Sequence, residues 1–84
     1  MSAAMGSATS LSRVYVQLLD EGVIVFRPTQ AEFLSPDTAR LVAPEDYDPE
    51  CEDWEFKPGS VVRVEPRHIS EGQVLVAVEI VSLV

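Results

Sequence analysis

Apolar and polar residues alternate in short runs along this chain from Arg13 to Val81, and turn residues separate the runs. Residues 61–67 show the pattern most clearly, because Val62 and Val64 take one side while charged residues take the other. Alternation with a period of two places successive side chains on opposite faces of an extended strand. No run has the periodicity of a helix of useful length. The pattern therefore restricts the chain to an all-β fold.

The number and spacing of the runs predict a small barrel of five or six strands. The chain has 84 residues, which is enough for one domain with a small core. We expect a half-open barrel of the SH3-like or OB-like type over residues 13–84, and a disordered, flexible tail over residues 1–12. The residues predicted to form the core are Val14, Val16, Leu18, Val25, Phe33, Leu41, Trp54, Phe56, Val62, Val64, Val76 and Val78.

Glycine, proline and short alternations mark the predicted connections and strand ends. Residues 20–22, Asp-Glu-Gly, predict a tight hairpin turn before a strand that starts at Val23, since glycine accepts a positive φ. Pro28 cannot donate a ladder hydrogen bond, so the second strand should bend, bulge or lie at a sheet edge there. The alternation of residues 54–56 predicts another short strand.

A dense acidic segment lies between the predicted strands. Residues 45–55, which we call the acidic loop, hold seven carboxylates in eleven positions and include the only tryptophan of the chain near their end. Pro44, Pro49 and the many like charges argue against regular structure there. The loop either keeps an exposed strand edge from pairing with other chains, or it is a docking surface. The candidate partner-binding residues are Glu45, Asp46, Asp48, Glu50, Glu52, Asp53 and Trp54.

The charge balance limits the classes of partner, and the single cysteine bears on the location of the protein. Fourteen acidic residues against six basic ones give a net charge of −8, which disfavours nucleic acids and anionic lipids and favours a basic protein. One cysteine excludes a disulfide within the chain, which fits a cytoplasmic location. No apolar run approaches the roughly 20 residues of a membrane helix, so no membrane partner is expected.

No residue pattern in the chain points to catalysis, to a metal or to a cofactor. The alternating acids from Asp46 resemble the start of a calcium loop, but the sixth position is Cys51 instead of glycine and the twelfth is Lys57 instead of glutamate. A zinc site needs about four ligands, and this chain has one cysteine and one histidine, His68. We therefore expect a protein that is not an enzyme and that uses no cofactor.

Four segments carry a resemblance to a known group of proteins. They are residues 14–22, 27–28, 47–48 and, above all, 54–62, which begins Trp-Glu-Phe-Lys-Pro-Gly. On these segments the chain resembles a group of small, acidic, uncharacterised bacterial proteins. The resemblance covers nearly all of the predicted domain and implies a stand-alone cytoplasmic domain. It brings no activity, cofactor or binding residue, because none is assigned to the group.

Three functions stay open at this point. The leading hypothesis is a noncatalytic protein–protein interaction module, in which the acidic loop binds a basic partner and Trp54 is an aromatic anchor. Alternation with Phe56 instead favours Trp54 as a core residue. The first alternative function is a small nucleic-acid-binding barrel that uses Arg27, Arg63 and Arg67, which the acidic total disfavours. The second is a homodimeric structural protein that pairs strand edges, so both a monomer and a homodimer are considered.

Overall fold

The computed structural model describes residues 11–82, which form five strands in one closed barrel. The prediction of an all-β fold and a small barrel is confirmed. The strands follow one another around the barrel in chain order, and they are β1 Leu11–Leu18, β2 Val25–Ser35, β3 Thr38–Val42, β4 Val61–Ile69 and β5 Gly72–Ser82. Each consecutive pair is antiparallel. Among these residues no helix has the length and apolar character that crossing a membrane requires.

The barrel is closed, and not half-open, because its first and last strands meet. β1 and β5 run parallel and pair at one position, where Tyr15 lies opposite Val76. The neighbours Val14 and Ala77 point into the core. Because side chains alternate along a strand, Tyr15 and Val76 lie on the outer surface. We call this junction the seam, and both of its outer side chains are buried.

The first hairpin has a longer connection than the predicted tight turn. The ladder between β1 and β2 ends where the two strands end, which leaves residues 19–24 in the loop. Asp20 and Gly22 both have positive φ, at 60° and 79°. Two left-handed residues make a wide turn, so the chain reaches β2 only at its later start. Val23 and Ile24, predicted in the strand, are therefore in the loop and each is 72% exposed.

Pro28 lies within β2 without ending the strand. It pairs with Tyr15 of β1, whereas the ladder between β2 and β3 begins only at Gln30. At Pro28, the edge of β2 that later pairs with β3 has no partner yet. The lack of a backbone N–H on proline therefore costs no hydrogen bond to β3. This is the edge position, one of the three that the sequence left open.

Nine buried side chains form the core inside the barrel. Trp54 and Leu41 are the largest of those that are fully buried. Six of the twelve predicted core residues belong to this cluster, and Leu18, Phe33 and Phe56 pack against it half-buried. Burial of each valine or leucine contributes ~1.5–3 kcal/mol, which makes this cluster the main source of stability. The members are Val14, Val16, Ala31, Ala39, Leu41, Trp54, Val62, Val64 and Ala77.

The inward face of β5 differs from the predicted one. The prediction placed Val76 and Val78 in the core, but Ala77 takes that place, while Val76 faces outward and Val78 is half-buried. The ladder between β4 and β5 explains the difference. Residues 63 and 64 of β4 are adjacent, but they pair with residues 79 and 77 of β5, so residue 78 has no partner on β4. Val78 is the extra residue of a bulge, and a bulge interrupts strict alternation.

Alanine supplies a third of the core cluster, which the sequence reasoning missed. Ala31, Ala39 and Ala77 are all buried inside the barrel. The interior of a small barrel alternates small and large side chains, and these alanines share the core with the large side chain of Trp54. Val25, also predicted in the core, is only half-buried at the start of β2.

The first strand begins before the predicted start of the domain. Leu11 and Ser12, which were predicted to be in the flexible tail, belong to β1 and pair with Glu32 and Ala31 of β2. The rest of the predicted tail, residues 1–10, and the end of the predicted domain, residues 83–84, lie outside the described residues.

Candidate functional site

A turn around Asp48 shapes the acidic loop. The N–H groups of Cys51 and Glu52 donate to the Asp48 carbonyl oxygen at 2.9 and 3.0 Å. The N–H of Glu50 donates to the Asp48 side chain, with 3.0 Å between nitrogen and Oδ1. Aspartate commonly stabilises turns in this way, by accepting hydrogen bonds from the backbone that follows it. The loop is thus irregular, as predicted, but it is held by its own hydrogen bonds.

The end of the acidic loop is attached to the edge of β1. Two backbone hydrogen bonds, of 2.7 and 2.9 Å, join residues 53 and 55 to the end of β1 and the residue after it. Between these bonds, Trp54 forms an isolated bridge with Leu18. The short strand predicted over residues 54–56 is therefore reduced to this one bridge, because the chain bends at residues 55–56. The attachment fixes the position of the loop against the barrel.

Trp54 is a core residue and not a contact surface. Only 1% of it is exposed, and it belongs to the central apolar cluster. The ring of Tyr47 meets it edge to face, with the ring centroids 5.0 Å apart and the planes at 71°. A side chain buried to this extent cannot be reached by a partner. The expectation of an aromatic anchor at Trp54 is therefore wrong, and the core alternative is confirmed.

Glu52 joins the acidic loop to β2. Its Oε1 accepts hydrogen bonds from Trp54 Nε1 at 2.9 Å and from Arg27 Nε at 2.8 Å. Arg27 Nη2 also donates to Asp46 Oδ1 at 2.7 Å. The Trp54 N–H and the Arg27 guanidinium hold the pKa of Glu52 below its usual value, and Arg27 likewise lowers the pKa of Asp46. Both carboxylates therefore serve to hold the loop on the barrel.

We expect the free energy of unfolding to fall in acid as these carboxylates are protonated. Glu52 and Asp46 have lowered pKa values in the folded chain, so their contribution is present above the unfolded values of about 4. It is lost as the pH falls through the lower, folded pKa values. Urea unfolding between pH 7 and pH 3 measures this, and a Glu52→Gln variant should lose less stability over the same range. A wild-type midpoint that stays constant to pH 3 would contradict the network.

The three arginines of the nucleic-acid alternative are all held in ion pairs. Arg27 binds the acidic loop, as described. Arg63 donates to Glu65 at 2.5 Å and to Glu79 at 2.8 Å, and these two carboxylates raise the pKa of Arg63. Arg67 donates to Glu65 at 2.8 Å. Binding of a phosphate backbone requires cations that are free to meet it, so this geometry does not favour nucleic acid.

A shallow groove beside the acidic loop collects carboxylates from two distant parts of the chain. One wall is the start of the β1–β2 loop, and the other is residues 49–53 of the acidic loop. Leu19, which is 38% exposed, adds an apolar contact point to the first wall. We call this feature the acidic groove. Its carboxylates belong to Asp20, Glu21, Glu50, Glu52 and Asp53.

Three carboxylates of the acidic groove have no ion-pair partner within residues 11–82. The other two are paired, one with Arg27 and one with Lys57 at 3.3 Å. Asp20, Glu21 and Glu50 are exposed and meet no cation of the described chain. Like charges that share one groove repel one another, and a cation placed among them relieves that repulsion.

The structure brings together only part of the predicted partner-binding set. The groove adds Asp20 and Glu21, which the sequence assigned only to a hairpin turn. The sequence places these two charges in a turn, but the approach of that turn to residues 49–53 depends on tertiary packing. The predicted members that lie outside the acidic groove are Glu45, Asp46, Asp48 and Trp54.

Cys51 lines the acidic groove but is a poor nucleophile there. It is an exposed free cysteine, and the hydrogen bond between its thiol and Asp48 raises the pKa of Cys51. A thiol kept in its protonated form reacts slowly. In the part of the chain that the structure describes, no group of three or more histidine, cysteine, aspartate or glutamate residues is arranged to hold a metal ion. What the groove offers a ligand is therefore electrostatic attraction.

No protein-family model, curated protein or solved structure matches this chain. The resemblance to small acidic bacterial proteins therefore stays a prediction. A function for the chain has to be inferred from the geometry and charge of the acidic groove.

Proposed function

We propose that this chain is a noncatalytic protein–protein interaction module that binds a basic segment of another protein in the acidic groove. The observation that carries the proposal is the meeting of the β1–β2 loop with the acidic loop. It brings Asp20, Glu21 and Glu50 into one groove, where they make no ion pair with any of residues 11–82. Lysine or arginine side chains of a partner would relieve the repulsion among these carboxylates. Leu19 offers an aliphatic contact beside them.

The scaffold holds the groove in place before a partner arrives. The hydrogen bonds to the edge of β1 fix one end of the acidic loop, and Arg27 fixes Asp46 and Glu52 within it. A pre-formed site loses less conformational entropy on binding than a mobile one. The net charge of −8 also speeds the encounter with a basic protein. We place this encounter in the bacterial cytoplasm, where Cys51 stays a thiol.

A triple neutralisation of the acidic groove tests the proposal. The variant Asp20→Asn, Glu21→Gln, Glu50→Gln removes three carboxylates that make no ion pair within residues 11–82, so the fold should be kept. Asparagine suits the positive φ of Asp20. A control variant removes the same charge from three exposed carboxylates outside the groove, through Glu45→Gln, Glu55→Gln and Glu71→Gln.

Capture of basic proteins from a lysate of the producing cells, at low and at high salt, compares the three proteins. The wild type and the control should capture the same basic protein, and the groove variant should lose most of it. High salt should weaken capture by the wild type, because charges are screened beyond ~8 Å already at 0.15 M salt. Equal capture by the groove variant, or the lack of any salt-sensitive basic partner, would count against the acidic groove.

A second candidate, a homodimeric structural protein, rests on the free edge of β5. After Val76, β5 has no partner strand within residues 11–82 on the side away from β4. Ile80 and Val81 near this edge are 41% and 56% exposed. Two copies that pair these edges would cover the apolar side chains. Light scattering at rising concentration should then give twice the mass of one chain, and a monomeric mass throughout rules the candidate out.

A further inference from the structure

β1 and β5 pair at one position only, and a cleft lies beside that pairing at the seam. On the side toward the start of β1 it is lined by Arg13 and Tyr15 of β1, Pro66 of β4, and Gln73 and Leu75 of β5. Its volume is about 470 Å³, which falls within the range of small-ligand sites. We call it the seam cleft. It shares no residue with the acidic groove.

Tyr15 lines the seam cleft, and its hydroxyl group has no partner within residues 11–82. Tyr15 is only 6% exposed, and its hydroxyl makes no hydrogen bond with any of residues 11–82. Buried tyrosine hydroxyls usually find a hydrogen-bond partner, because an unpaired polar group is costly to remove from water. Tyr15 lines the cleft, so a ligand bound there is placed to supply an acceptor for the hydroxyl.

The only cation of the described chain without an ion pair lies in the same cleft. Every other lysine or arginine forms an ion pair within residues 11–82, and Arg13 forms none. Arg13 and Tyr15 are two positions apart on the same face of β1, so their Cα atoms are roughly 7 Å apart. A guanidinium binds a carboxylate through two parallel hydrogen bonds, and a phenol hydroxyl donates to an anionic oxygen. The two side chains therefore present donors suited to one anionic group.

We propose that the seam cleft binds an aliphatic carboxylate, with its charge on Arg13 and Tyr15. The guanidinium of Arg13 pairs with the carboxylate, and the Tyr15 hydroxyl donates a hydrogen bond to it. Pro66, Val74 and Leu75 line the rest of the cleft and contact the aliphatic group. This assignment is independent of the acidic groove and of the function proposed for it.

Two further side chains narrow the class of ligand. Glu71 also lines the seam cleft, so a second negative charge on the ligand would be repelled and a monoanion is preferred. The amide of Gln73 lines the same cleft and is suited to a hydrogen bond with an amide beside the carboxylate. A peptide C-terminus with an aliphatic last residue has the single carboxylate, the neighbouring amide and the aliphatic group. A free branched-chain acid has the carboxylate and the aliphatic group but no amide.

Titration of the isotope-labelled full chain with three small probes, followed by NMR at 0.15 M salt, tests the site. N-acetylleucine represents a peptide C-terminus, 4-methylpentanoate represents a free acid, and N-acetylleucinamide lacks the carboxylate. At least one carboxylate should give saturable shifts centred on Arg13, Tyr15 and residues 73–75. Tighter binding of N-acetylleucine identifies a peptide C-terminus, and equal or tighter binding of 4-methylpentanoate identifies a free acid. Absence of saturable shifts, or equal binding of the amide, overturns the proposal.

Point variants separate a binding role of the cleft from a structural one. Tyr15→Phe should lower the affinity for the tighter-binding carboxylate probe about tenfold or more. This is the loss expected when a hydrogen bond to a charged group is removed. The thermal midpoint of this variant should not fall, since the hydroxyl has no partner within residues 11–82. Arg13→Gln should remove saturable binding, whereas Arg40→Gln on β3 should leave the affinity unchanged. Wild-type affinity in Tyr15→Phe, or a lowered midpoint, would overturn the assignment.

Discussion

Replacement of Trp54 by alanine is expected to lower the free energy of unfolding by about 3–5 kcal/mol. Trp54 is the largest of the fully buried side chains, so its removal leaves a large cavity in a small core. The substitution also removes the Nε1 donor on which Glu52 depends. A domain of 84 residues has a total stability of roughly 4–12 kcal/mol, so the variant loses a large part of it.

Urea unfolding followed by circular dichroism measures this effect, with Trp54→Phe as the matched control. Phenylalanine keeps an aromatic ring in the core and removes only the indole N–H and part of the volume, so its loss should be clearly smaller. The wild-type fluorescence, which comes from this single tryptophan, should be shifted to the blue and resist quenching by acrylamide. Alanine and phenylalanine variants of equal stability, or a readily quenched tryptophan, would place Trp54 on the surface instead.

Replacement of Arg27 by methionine is expected to cost about 1–3 kcal/mol, because it leaves a partly buried carboxylate without its charged partner. The side chains of Arg27 and Glu52 are 21% and 17% exposed. Arg40→Met is the matched control, since Arg40 pairs with Glu32 at 3.4 Å and both of these side chains are more exposed. An exposed ion pair of that kind contributes only about 0–1 kcal/mol. The urea midpoints of the two variants measure the difference, and we expect Arg27→Met to unfold at a lower urea concentration than Arg40→Met.

Hydrogen exchange adds a local test of the same ion pairs. The backbone N–H groups of Leu19 and Glu55, which hold the acidic loop against β1, should exchange faster in Arg27→Met than in the wild type. The Arg40→Met variant should leave both rates unchanged. If the two variants had equal urea midpoints and equal exchange rates, Arg27 would not be what fixes the loop.

Much of the barrel could be predicted from alternation alone. Val14, Val16 and Val64 lie between polar or aromatic neighbours, and Val62 is two positions before Val64. All four belong to the core cluster, as expected. The last strand was less predictable, because its alternation favoured the face of Val76 and Val78, whereas the structure places Ala77 in the core. The bulge at Val78, which decides the inward face, depends on pairing with β4. Closure at the seam likewise depends on a contact between the two ends of the barrel.

The candidate site was only partly predictable, for a related reason. Charge density identified the acidic loop, but it could not distinguish carboxylates that hold the loop from carboxylates that face solvent. Glu52 and Asp46 are held by Arg27, which is 25 and 19 positions away in the chain. The meeting of Asp20 and Glu21 with the acidic loop is similarly long-range. Such pairings follow from the folded barrel and leave no local trace in the sequence.

We propose that the acidic groove binds basic segments of other proteins. The most direct measurement is NMR titration of the full chain with a short amidated peptide of lysine and leucine, with a peptide of glutamine and leucine as control. We predict saturable, salt-sensitive shifts confined to residues 19–22 and 49–53, which are lost in the triple groove variant and with the control peptide. Shifts centred on other parts of the barrel, or shifts that persist in the triple variant, would contradict the claim.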